Sequence, residues 1–125
     1  MKKTISISDA PTPVGSYSQA IFQDEWLIIS GQICIDPYTG TMKNETITAE
    51  THQVMKNIGA LLKEVQMDYQ DILKCSLFIK DMEQFSIINE VYASYFKAPY
   101  PVRECVEVAR LPKDANIEIS VWAKK

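Results

Sequence analysis

From Ala49 to Val65 the apolar residues Val54, Met55, Ile58, Leu61, Leu62 and Val65 recur at i, i+1, i+4, i+7, i+8 and i+11. That spacing marks one face of an α-helix starting near Thr48. A different period follows: Leu73, Cys75, Leu77 and Ile79 alternate with Lys74, Ser76, Phe78 and Lys80, as in a strand with one face buried, Phe78 being the apolar exception. Asp81 and Gln84 have the spacing of a capping box and open a second helix. Its stripe of Phe85, Ile88, Tyr92, Tyr95 and Phe96 also contains Asn89, and an amide inside an apolar stripe needs a hydrogen-bond partner. Ala98-Pro99-Tyr100-Pro101 ends that helix, because proline cannot continue it and pushes its predecessor toward extended geometry. Two strands follow, Val102 to Ala109 and Asn116 to Ala123, joined by the turn Arg110 to Asp114. Ahead of the first helix, Gln19 to Phe22 and Trp26 to Ser30 flank Gln23, Asp24 and Glu25 as a hairpin, and Asp36-Pro37-Tyr38-Thr39-Gly40 marks a turn. Asp9 to Ser18, with Pro11, Pro13 and Gly15, is an irregular segment that cannot join a central strand.

Strands and helices in this order, with one apolar stripe per helix, predict an α+β sandwich of two layers, both helices covering one face of a mixed sheet. The other sheet face is left bare, which points to self-association. A length of 125 residues with 46% hydrophobic side chains predicts one domain spanning 1–125, whose core needs no metal or disulfide staple. A net charge of -3 and a pI near 5.1 have the wrong sign for a phosphate-neutralising protein, so nucleic acid is not the expected partner. The longest apolar runs are short, such as Trp26 to Ile29, so neither a signal peptide nor a membrane span is expected. Cys34, Cys75 and Cys105 are widely spaced and odd in number, which fits a reducing, cytoplasmic setting. The single histidine, His52, excludes two-His metal sites. On the helical wheel it turns about 125° from the centre of the stripe, toward solvent with Lys56 and Lys63.

Alternation places Arg103, Cys105, Glu107 and Ala109 on one face of their strand. In the last strand Glu118, Ser120 and Trp122 stand opposite Ile117, Ile119, Val121 and Ala123. An arginine fork can hold a small carboxylate, and a second carboxylate nearby can orient or deprotonate a water, so Arg103 and Glu118 outline a pocket for a small anionic substrate. Arg103 paired with Glu107 or Glu118 as a surface ion pair would give the same pattern. Cys105 beside Arg103 reads as a pocket-lining residue rather than a nucleophile, since no histidine base stands near it. Gly31, after Ser30 at the end of an apolar strand, permits close approach of backbone or ligand, or marks a bulge.

Several blocks carry a resemblance: Ala10-Pro11-Thr12-Pro13-Val14-Gly15-Ser16-Tyr17-Ser18-Gln19-Ala20, Ser30-Gly31-Gln32, Asn57-Ile58, Pro101 to Val108, Leu111-Pro112 and Ile117-Glu118-Ile119. Their order and spacing over nearly the whole chain resemble the RidA (YjgF-type) reactive intermediate deaminase family. The resemblance implies a chorismate-mutase-like fold assembled as a homotrimer with pockets between subunits. It also implies cofactor-free hydrolysis of 2-imino acids, such as 2-iminopropanoate and 2-iminobutanoate, to 2-keto acids and ammonia. It assigns Arg103 to the substrate carboxylate and Glu118 to the attacking water. Tyr17, Ser30, Gly31 and Cys105 line the pocket, Tyr17 from a neighbouring subunit, and Asn89 falls near the interface. Ser16, Val102 and Glu104 depart from the usual proline, alanine and small hydroxyl residue, and Gln66 stands where a helix-ending glycine is common. A non-catalytic sensor of 2-keto acids using the same arginine is the alternative reading.

Overall fold

The structure, a computed structural model, describes residues 1–125. Strands β1 (Lys3–Ile5), β2 (Ala20–Gln23), β3 (Trp26–Gln32), β4 (Ile72–Ile79), β5 (Val102–Glu107) and β6 (Ile117–Lys124) form one sheet in the order β1-β2-β3-β6-β4-β5. Helices α1 (Ile47–Glu64) and α2 (Phe85–Ala93) lie against one of its faces. The sheet is mixed because β5 runs parallel to β4 at the edge while every other pair is antiparallel. The last two predicted strands therefore do not pair with each other: β6 lies between β3 and β4, and β4 separates it from β5.

Helix α1 begins two residues before the predicted start, because Thr46 rather than Thr48 is its cap and Thr46 Oγ1 accepts from the Ala49 N–H at 3.0 Å. At its other end Gln66 takes a left-handed conformation (φ 61°), its N–H donates to Lys63 O and the Met67 N–H donates to Leu62 O. This is the Schellman ending, in which glycine avoids the strain of a side chain. Gln66→Gly should therefore stabilise the fold by about 0.5–1 kcal/mol, read as a higher urea midpoint with unchanged slope.

Other elements also differ from the predicted ones, β5 stopping at Glu107 and α2 at Ala93, before Tyr95 and Phe96. The first hairpin turns on Asp24 and Glu25 alone, both left-handed (φ 52° and 67°), the mirrored turn geometry that matches strand twist even without glycine. In β4 a bulge at Leu73 puts Ile72 opposite Ala123 and Lys74 opposite Trp122. Ile72 therefore takes the interior position and Leu73 stands exposed. Before α2, Asp81 caps a 3-10 turn at Met82–Gln84 by accepting from the Glu83 N–H, and the α-helix proper starts only at Phe85.

His52 is also not where the wheel puts it. Its ring is half-buried, with Nδ1 2.7 Å from the Tyr95 hydroxyl and the two rings edge to face. The wheel assumed α1 has one neighbour, the sheet; α2 and the chain after it supply a second.

The core joins Val54, Met55, Ile58, Leu61 and Leu62 of α1 to Leu27, Ile29, Leu77, Ile119 and Val121 of the sheet, all fully or almost fully buried. Strand parity then sends Ile28, Trp122, Val102 and Val106 to the opposite face, where they remain exposed. No helix is long and apolar enough to cross a membrane.

Candidate functional site

Two recesses carry the chemistry, on opposite faces of the sheet. The first forms where β3 and β6 lose their regular pairing. Ile29 pairs with Val121 and Gln32 with Ile119, so Ser30 and Gly31 together face Ser120. The irregular segment before β2 folds over this bulge and is held there by Gln19, 3% exposed. Gln19 Nε2 donates to the carbonyls of Ile7, Ala10 and Pro11, and Oε1 accepts from the Ile7 N–H. Ser30 Oγ donates to Ser18 O at 2.6 Å, fastening the same segment. The recess so made, about 340 Å³, is lined among others by Tyr17, Ser30, Gly31, Ile33, Lys113 and Glu118.

Glu118 is half-buried in this recess, and desolvation holds its carboxyl above the usual range. Gly31 makes room for it: a Cβ there would stand 2.6 Å from Glu118 Cδ and Oε1. The expected close approach at Gly31 is thus by the Glu118 carboxylate itself.

The second recess, about 430 Å³, is lined by Asn89, Tyr92, Ala93, Tyr100, Pro101 and Arg103. Register with Cys75 and Leu77 turns Arg103 and Cys105 toward the helix side of the sheet, at its edge. Arg103 Nη1 donates to Asn89 Oδ1 at 2.7 Å, and its Cζ lies 5.2 Å and 5.1 Å from the Phe85 and Tyr92 ring centroids. One of the guanidinium's five donors thus fixes its orientation and two aromatic rings back it. Asn89 is the stripe amide that required a partner, and Arg103 is that partner. Burial pushes the half-buried Cys105 thiol up, with Arg103 acting the other way.

Within one chain Tyr17, Ser30, Gly31 and Glu118 come together, as do Arg103 and Asn89, but the two groups do not; Cys105 shares the strand face of Arg103 yet lines neither recess. The single pocket outlined from strand alternation is therefore divided, because Arg103 faces the helices and Glu118 faces away from them. Neither ion pair weighed for Arg103 is formed: Glu107 Oε1 accepts from the Met82 N–H instead. Gln19, Lys113, Phe85 and Tyr92 belong to the site without a sign of it in the sequence, where Phe85 and Tyr92 read only as helix stripe, because each reaches it through strand order and loop folding. No group of three or more His, Cys, Asp or Glu side chains is placed to hold a metal ion.

A family profile described as Endoribonuclease L-PSP matches residues 7–125. A RutC family protein of Pyrococcus horikoshii is 46% identical over 125 residues, covering 100% of this chain and 99% of its own. A 2-iminobutanoate/2-iminopropanoate deaminase of Salmonella typhimurium is 40% identical, with 98% of each chain covered. The crystal structure of E. coli TdcF with bound serine superposes with a TM-score of 0.94 at 36% identity, covering 98% of each chain.

Proposed function

Because the chain belongs to the Endoribonuclease L-PSP family, also called the RidA or YjgF family, we propose that it hydrolyses small 2-imino acids to 2-keto acids and ammonia at sites formed between subunits. The observation that carries this reading is that one sheet face presents an oriented arginine fork and the other a half-buried carboxylate. In a closed trimer the bare face with Ile28, Trp122 and Val106 is covered, and the Arg103 recess of one subunit meets the Glu118 recess of the next. Light scattering should then give about three times 14.2 kDa at micromolar concentration; a monomer mass would remove the composite site.

The chemistry asks little of such a site. Arg103 holds the substrate carboxylate through two parallel hydrogen bonds, with Asn89, Phe85 and Tyr92 keeping the guanidinium in place. Glu118 accepts a proton from a water aimed at the imine carbon. Addition of water to C=N gives a carbinolamine, and its collapse breaks the C–N bond, releasing ammonia and leaving the keto acid. No thiolate takes part, so Cys105→Ala should keep kcat/KM within about threefold of wild type, whereas a loss beyond roughly a hundredfold in a folded variant would assign the thiol a chemical role.

RNA cleavage, suggested by the family's description, finds less support: the net charge is -3 and no histidine lines either recess. The test is a coupled assay in which a dehydratase releases 2-aminoacrylate and keto-acid and ammonia formation are timed with and without the protein. Acceleration supports the reading. Keto-acid binding without acceleration would make the same site a sensor.

A further inference from the structure

Helix α1 carries two buried polar side chains that take no part in the chemistry above. Glu50 is 0% exposed and Asn57 1%, and their separation of seven residues, two turns, puts them on one helix face. Asn57 Nδ2 donates to the carbonyls of Ile33 (3.1 Å) and Ile35 (2.9 Å), just beyond the end of β3 at Gln32. Gln53 Nε2 donates to Asn57 Oδ1 at 2.9 Å, which sets the way the amide points. Ile33 and Ile35 both line the Glu118 recess. Two turns earlier, Glu50 Oε2 accepts from the Asn116 N–H at 2.7 Å and Oε1 from Asn116 Nδ2 at 2.8 Å. Asn116 joins Pro112 and Lys113, which line the same recess, to Ile117 and Glu118 at the start of β6.

We propose that Asn57 and Glu50 are positioning residues for the Glu118 recess, through which α1 braces two of its walls from the far side of the sheet. The physical case is one of satisfaction. The Ile33 and Ile35 carbonyls lie where the regular β3 ladder has stopped and take their donors from Asn57. A buried carboxylate is kept at Glu50 where an apolar side chain would pack, and its two contacts go to one residue at the mouth of β6. Walls held this way keep water from Glu118; walls released from α1 admit it. Tyr17 and Lys113 are the other titratable groups lining the recess.

The inference rests on the imine-hydrolysis reading for its effect on rate, but its effect on Glu118 needs no turnover, so two readouts are used. The Glu118 carboxyl carbon is titrated by NMR, identified by its absence in Glu118→Gln, and kcat/KM is followed against pH. Asn57→Leu and Glu50→Met keep side-chain size and remove the hydrogen-bonding groups. Val54→Ala, an apolar truncation on the same buried helix face, is the control for lost stability. In both polar variants the Glu118 midpoint should fall toward an ordinary glutamate, and kcat/KM should drop roughly tenfold or more, with its acid limb moving the same way; Val54→Ala should move neither. Glu50→Gln keeps an acceptor for the Asn116 N–H and should keep the wild-type midpoint. Should the larger changes fail to fold, Asn57→Ser, too short to reach both carbonyls, and Glu50→Ala take their place. A midpoint that stays put in both polar variants, or moves as far in Val54→Ala, overturns the proposal; movement in one alone confines the role to that residue. Absence of imine hydrolysis in the wild type would remove the functional reading while the titration still decides this one.

Discussion

Replacing Arg103 by lysine should abolish the acceleration of imine hydrolysis as completely as replacing it by alanine. Arginine presents a planar fork with parallel N–H groups, whereas lysine offers a compact charge that cannot hold a carboxylate in one plane. The Asn89 bond and the Phe85 and Tyr92 rings are all matched to a guanidinium. The loss expected is roughly a hundredfold or more in kcat/KM, the order supplied by two charge-assisted hydrogen bonds. The side chain is exposed at the edge of the sheet, so both variants should keep the wild-type melting transition and subunit mass. Calorimetry should show 2-keto-acid binding lost in Arg103→Ala. A wild-type rate of 2-iminopropanoate hydrolysis in that variant would mean that the substrate carboxylate is held elsewhere.

The second large effect is expected at Glu118. Glu118→Gln keeps the shape of the side chain and removes its ability to take a proton from water, a loss of roughly 10²–10⁴-fold. The pH dependence follows from the same group. Only the carboxylate form can accept the proton, so kcat/KM should fall as pH drops through the Glu118 pKa. Desolvation raises that pKa, so the limb should lie above the ordinary glutamate value of about 4.3. In Glu118→Gln the residual rate should be flat through this limb, and a limb that persists would belong to another group. Gly31→Ala should reproduce part of the loss, because its Cβ occupies space now held by Glu118 Cδ and Oε1.

How much of this was readable beforehand varies with the residue. Helix α1 was legible because its six apolar positions all meet the core, and Asn89 announced its need for a partner. Gly31 announced a close approach, though not whose. Leu73 misled because one bulge shifts strand parity, and alternation cannot show where a bulge falls. His52 misled because a wheel drawn for one helix does not know that a second helix packs beside it. The division of the site was the least legible feature. Parity gives the facing of residues within each strand but not the facing of β5 relative to β6. That relation depends on β4 lying between them, a property of the whole sheet. Asn57 and Glu50 looked unremarkable for a similar reason: their partners are carbonyl and N–H groups that every residue carries.

The bare sheet face has one more consequence. The chain's two tryptophans, Trp26 and Trp122, stand together on it, ring centroids 6.0 Å apart and nearly perpendicular. Indole emission shifts to the blue when water leaves its surroundings, and both indoles lie on the face that association would dry. In the proposed trimer the two indoles would be an optical gauge of assembly, and a dilution series followed by intrinsic fluorescence would read subunit separation without a label.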